Sequence, residues 1–224
     1  MSIQKQKRFT CPQCTTPNNL DWSGSLNFDR NPDLIQKVLD DTLCVIKCTN
    51  CKISFRIEPD FPCFYLTKKY WIVAHPIQLL PQWSDLEKRA FNTFDLALGE
   101  KAPSSAAELG KDVSPRIVFG WPALREKILI IQLGLNETAV ELAKMIILQN
   151  VGPHAINYEY RLVDTDQDNL IFDSIHLTNR TPEAEQFALL KSTLLDVEND
   201  PAAWSELKQK VTSGIWLDAM RCFK

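Results

Sequence analysis

Two short cysteine pairs constrain this chain more than anything else in it: "CPQC" at Cys11 and Cys14, and "CTNC" at Cys48 and Cys51. A redox reading needs one Cys-x-x-Cys between a strand and the start of a helix, where the helix dipole lowers the thiol pKa. Here "CPQC" is followed by "TTPNNLDW", whose proline and asparagines oppose a helix, and "CTNC" runs into the strand-like "KISFRI". A metal reading uses both pairs. Each turn supplies two thiolates, and together they complete a tetrahedron of soft ligands. Phe9-Thr10 and Val45–Lys47 are expected as strands that bring the two turns face to face, as in a zinc ribbon. The 33 residues between Cys14 and Cys48 exceed the usual spacing of roughly fifteen to twenty, so an inserted strand and helix are required. "NLDWSGSLNF" and "NPDLIQKVLDD" supply them, the latter with Asn31 as cap and Pro32 at the first helical position. The expectation is one structural Zn²⁺ per chain on Cys11, Cys14, Cys48 and Cys51.

These residues resemble a known family. "CPQC", then "NPDLIQKVLDDTLCVIKCTNC", then "FYLTKKYWIVAHP" are similar to the bacterial and archaeal CpXC proteins, named for two Cys-Pro-x-Cys pairs. The resemblance is good over 9–76, extends to "RIVFGWPALREKILIIQLGLNETAVELAKMIIL", and is weak beyond it. It implies zinc binding and no activity. Thr49 departs from the pattern, standing where the second proline would be, which lowers the rigidity expected of that turn.

The remaining cysteines are read as packing groups. Cys44 shares a strand face with Cys48 and is a small buried hydrophobe or, alternatively, a fifth thiol near the metal; Cys63 and Cys222 are isolated. His75, His154 and His176 are scattered without ligand spacing and are read as structural. Asp164, Asp166 and Asp168 alternate as in a calcium loop. The pattern then fails, because Asn169 stands where glycine belongs and Ile175 where glutamate belongs, so an acidic hairpin turn is expected.

Along the chain, an α+β fold is expected: a β-rich, zinc-ribbon-containing module over 1–80, a connecting helix over 81–99, a linker over 100–115, and a helix-rich α+β region over 116–224. The connecting helix has a capping box at "SDLE" (Ser84–Glu87) and core spacing at Leu86, Ala90, Phe94 and Leu98. "EKAPSSAAELGKDVSP" is rich in small residues and proline, hence the linker. Two helices follow the strand "RIVFG". They break at Gly134, Asn136 caps the second, and Trp121, Leu124, Ile128 and Ile131 line one face of the first. "INYEYRLVD" and "NLIFDSIHL" form a hairpin, Thr181-Pro182 and Asp200-Pro201 open two more helices, and "GIWLDAMRCF" closes as a strand.

Net charge is −3 and only "KQKR" is basic, which argues against nonspecific binding to duplex nucleic acid. The apolar stretch from Lys127 to Leu148 is broken by Gly, Asn, Glu and Lys, so no membrane span is expected. The basic N-terminus lacks a following apolar run, so a cytoplasmic, reducing setting is expected. With no catalytic motif, the expected function is a non-enzymatic interaction or adaptor protein with a protein partner. The alternative is nucleic-acid binding through Lys5, Lys7, Arg8, Lys47, Lys52 and Arg56, with Trp22 and Trp71 as stacking platforms if exposed.

Overall fold

The computed structural model describes residues 4–151, 157–178, 180, 182–200 and 202–223. His154, Thr181, Pro201 and the side chain of Lys5 lie outside the described residues. The chain divides into two compact units, Met1–Leu124 and Arg125–Lys224.

In the first unit, β1 (Gln4–Thr10) and β2 (Pro17–Ser23) form one antiparallel hairpin, and β4 (Val45–Lys47) and β5 (Ser54–Arg56) form another. A Cys-x-x-Cys pair forms the tip of each. The chain between the hairpins carries β3 (Leu26–Asn27) and α1 (Asp33–Leu39), as the long gap required. A four-stranded sheet follows, with β6 (Phe61–Tyr65) antiparallel to β7 (Tyr70–His75), and β3 and β8 (Ser114–Phe119) added in parallel at its two edges.

Parallel β7 and β8 need a crossover. It consists of α2 (Trp83–Ala97) and α3 (Ser104–Gly110). Residues 100–115, expected as a linker, therefore carry a helix and lead directly into a sheet strand. A Cβ at Gly110 would fall 1.9 Å from the Leu98 carbonyl oxygen, so only glycine allows that close packing. The capping box at Ser84 does not form. A 3₁₀ turn over Ile77–Gln82 already winds the chain, so Ser84 lies inside α2 and no side chain caps the helix.

Aromatic rings line the interior of this unit. Centroid separations are 5.6 Å for Phe9–Trp22, 5.6 Å for Trp22–Phe61 and 6.0 Å for Phe61–Trp121. Trp71 packs on Phe94 at 5.6 Å. Trp22 and Trp71 are 8% and 4% exposed, so the stacking platforms considered for them are absent.

α4 (Gly120–Leu133) and α5 (Glu137–Val151) break at Gly134, whose φ is +65°. Asn136 Oδ1 accepts from the Thr138 and Ala139 N–H groups at 3.0 and 3.2 Å, the expected cap. Trp121, Leu124, Ile128 and Ile131 are all buried, as their spacing predicts.

The second unit holds the antiparallel hairpin of β9 (Tyr158–Thr165) and β10 (Asn169–His176), joined by the acidic turn. Asp166 Oδ1 accepts the N–H groups of Asp168 and Asn169, so this carboxylate closes a turn. Two expectations fail. Residues after Thr181 form β11 (Pro182–Leu190), not a helix, because β10 offers a free edge and pairing outweighs the helix propensity of "EAEQ". The expected closing strand is irregular chain ending in a 3₁₀ turn, Ala219–Phe223, because its backbone groups are held by buried charges of α4 and α5. α6 (Ser192–Asn199) and α7 (Ser205–Val211) complete the unit. Its core includes Val140, Leu162, Leu170, Phe172 and Val211. Among the described residues, no helix is long and apolar enough to cross a membrane.

Candidate metal centre

The two hairpin tips have the same backbone. In each, the first cysteine's N–H donates five residues ahead, Cys11 to Thr16 O at 2.9 Å and Cys48 to Ile53 O at 2.8 Å. In each, the residue after the second cysteine donates back, Thr15 to Cys11 O at 3.0 Å and Lys52 to Cys48 O at 3.2 Å. Both of those residues turn left-handed, with φ of 57° at Thr15 and 65° at Lys52. This tight loop aims two side chains to one side of each tip.

The tips meet through sulfur. Cys11 and Cys51 Sγ lie 3.6 Å apart, Cys14 and Cys48 Sγ lie 3.5 Å apart, and all four lie within 4.8 Å of one another. None is in a disulfide. A tetrahedral ion with bonds of about 2.3 Å to sulfur needs sulfur separations of roughly 3.8 Å. The two closest pairs fall just short of that value, and no pair is more than 4.8 Å apart. Cys11 and Cys48 are buried, and Cys14 and Cys51 are half-buried.

The thiols' surroundings differ. The Thr16 hydroxyl, 3.3 Å from Cys14 Sγ, is the largest influence holding Cys14 down at about 5. At Cys48 burial raises the pKa, but the N–H groups of Cys51 and Asn50 outweigh it and the value is lowered. Cys51 is pushed up to about 12: the Ile53 N–H favours its thiolate, while burial and the three neighbouring sulfurs oppose it. Crowded sulfurs resist carrying four negative charges unaided, and a coordinating cation removes that resistance by deprotonating thiols outright. The tetrad can hold a metal ion, and its donor set is consistent with zinc.

Cys44 stays outside the tetrad. Burial pushes its thiol up to about 11, and burial also raises Cys63, in keeping with inert packing groups. His75 lies against Phe119 and His176 against Tyr158, each in aromatic packing.

Sequence reasoning missed Asn18, which is 3% exposed. Its Oδ1 accepts from Thr49 N–H at 2.8 Å, and its Nδ2 donates to Thr16 O at 2.9 Å and approaches Cys48 Sγ at 3.7 Å. Asn50 Nδ2 adds a second link between the tips, to Thr16 Oγ1 at 3.2 Å. The signal was available, since period two from Trp22 through Leu20 places Asn18 on the inward face of β2, where a polar group needs partners.

The family model for CpXC proteins matches residues 9–144, more than half of the chain. The chain belongs to the CpXC family. The matched segment contains all four cysteines of the tetrad and Asn18. No curated protein and no solved structure matches it.

Proposed function

We propose that this CpXC chain is a non-enzymatic interaction or adaptor protein, a subunit or accessory of a larger assembly, in which a structural Zn²⁺ holds a zinc ribbon in shape. The observation that carries this reading is the closed tetrad. Four cysteine sulfurs fill the four positions of a tetrahedral ion, whereas catalytic zinc keeps one open for water. When bound, the ion supplies a cross-link. Cys11 and Cys14 would grip it from the first tip, Cys48 and Cys51 from the second.

The surface of the first unit supports a protein partner. α2 exposes Phe91 and Leu96, and α3 exposes Leu109 at 66%. An apolar groove of about 220 Å³ lies between α2 and strands β6 and β7, lined by Pro62, Trp71, Val73, Leu86 and Ala90. The nucleic-acid alternative has lost supports. Trp22 and Trp71 are buried, and Arg56 is occupied by an ion pair with Asp41 and by stacking 3.6 Å from the Trp121 ring centroid.

Two measurements test the reading. Elemental analysis of gently purified protein is expected to give one zinc per chain. Affinity purification from the native cell is expected to enrich a partner with the wild type and lose it with Cys11→Ser and with Phe91→Asp. Zinc well below one per chain defeats the metal half, and a wild type that enriches nothing over background defeats the adaptor half.

A further inference from the structure

The second tip has Thr49 where the first has Pro12, and the structure gives that difference a use. Thr49 N–H donates to Asn18 Oδ1 at 2.8 Å, a bond that proline, having no N–H, cannot make. That bond sets which way the buried carboxamide points. Turned over, it would set an NH₂ group against the Thr49 N–H, donor against donor. Held as it is, Nδ2 has two hydrogens to place. One goes to Thr16 O at 2.9 Å on the first tip, and the other points toward Cys48 Sγ at 3.7 Å on the second. The carboxamide therefore links the tips without any ion and presents a donor to a ligand sulfur.

We propose that Asn18 is a positioning residue of the metal centre, oriented by the Thr49 N–H. The proposal rests on the metal-binding reading above. Hydrogen bonds around a metal site orient its ligands and tune their basicity, and losing one commonly costs about 10- to 100-fold in metal affinity. Here the orienting group stands one step further back, at a backbone N–H. The consequence runs against turn rigidity. Thr49 is not among the positive-φ residues, which would exclude proline, and on rigidity alone a proline's fixed φ would favour tighter binding. If the N–H is what matters, Thr49→Pro weakens it.

The test is a double-mutant cycle in zinc affinity, read by competition with a chromophoric chelator on the full chain. Asn18→Ala and Thr49→Pro are each expected to weaken zinc binding about tenfold or more. The double variant should be no weaker than the worse single, within about twofold, because both changes remove one device. Thr49→Ala keeps the N–H and should stay within about twofold of the wild type. In Co²⁺-loaded protein, the sulfur-to-metal charge-transfer band should move in Asn18→Ala and Thr49→Pro but not in Thr49→Ala. A role in packing alone changes occupancy and leaves that energy in place. The proposal is overturned if Thr49→Pro binds zinc as tightly as Thr49→Ala, if the two losses multiply, or if the band does not move. Should Thr49→Pro not fold, Asn18→Asp decides with Asn18→Ala: it keeps the acceptor for Thr49 and loses the donor to sulfur, and an unmoved band in both overturns the proposal. A wild type that takes up neither ion defeats the metal reading itself, whereas variants that match a loaded wild type defeat this inference alone.

Discussion

Thr15 and Lys52 sit in the same strained slot of the two tips, left-handed at φ of 57° and 65°. A residue with a Cβ gives up roughly 1–2 kcal/mol there, and β-branched threonine is the worse suited of the two. Glycine removes that cost but adds back part of it through a freer unfolded chain, about 0.5–1 kcal/mol. The expected result for Thr15→Gly is a net stabilisation of up to about 1 kcal/mol, seen as a higher denaturant midpoint for the metal-loaded protein. A lower midpoint would mean that the Thr15 hydroxyl bond to Cys14 O, at 2.8 Å, matters more than the strain. The four cysteines were legible at this scale because ligand spacing is a local property. Asn18 was overlooked because two of its three partners, Cys48 and Thr49, lie on the other tip, 30 and 31 residues away in sequence.

Among the elements, those with local punctuation could be read from sequence: β7 stops at Pro76, α4 stops at Gly134, Asn136 caps α5, and Asp166 turns the hairpin. Those decided by distant pairing could not. β11 looks helical until β10 is available to pair with it, and 100–115 looks like a linker until β7 and β8 demand a crossover. The same distinction predicts what chelation does. The hairpins that carry the tips are two-stranded, β4 and β5 having only three residues each, and isolated two-stranded hairpins are marginal in water. Removing the ion should therefore raise amide exchange in β1, β2, β4 and β5 by a large factor and leave the three-stranded sheet of β9, β10 and β11 protected. Hydrogen-exchange mass spectrometry with and without a strong chelator reads this directly. Unchanged protection across the hairpins would show that Asn18, Asn50 and the aromatic core hold the tips without metal.

At the scale of the molecule, the two units rely on different internal ties. The second unit is held by charges buried in its core, contributed by α4, α5, β9 and the C-terminal segment. Lys144 Nζ lies 2.8 Å from Glu126 and 2.9 Å from Glu141, and all three side chains are almost fully buried. Arg161 Nη1 lies 2.9 Å from Glu126 and 2.8 Å from Asp218, and its Nη2 lies 3.2 Å from Glu159. Glu141 also accepts the Ala219 N–H at 2.8 Å, so the network fastens the C-terminal segment to α5 and β9. Such a network adds little over a well-packed apolar core, but breaking it is costly, about 3–5 kcal/mol for an unpaired buried charge. Arg161→Met leaves Asp218 without its ion-pair partner, while Glu126 keeps Lys144 and Glu159 keeps Arg180. Its expected effect is a loss of that size, read as faster exchange in β9 and β10. Asp218→Asn tests the same tie through pH. Burial raises the Asp218 pKa, but Arg161 and Lys144 outweigh it, and the folded value lies below the ordinary 3.8. A carboxylate with a depressed folded pKa stabilises fully above its unfolded value and loses that contribution as pH falls through the folded one. The wild type's advantage over Asp218→Asn should therefore be complete at neutral pH and shrink below pH 3.8. An advantage that stays constant down the acid limb would show that Asp218 acts by shape and its bond to the Met220 N–H, with charge playing no part.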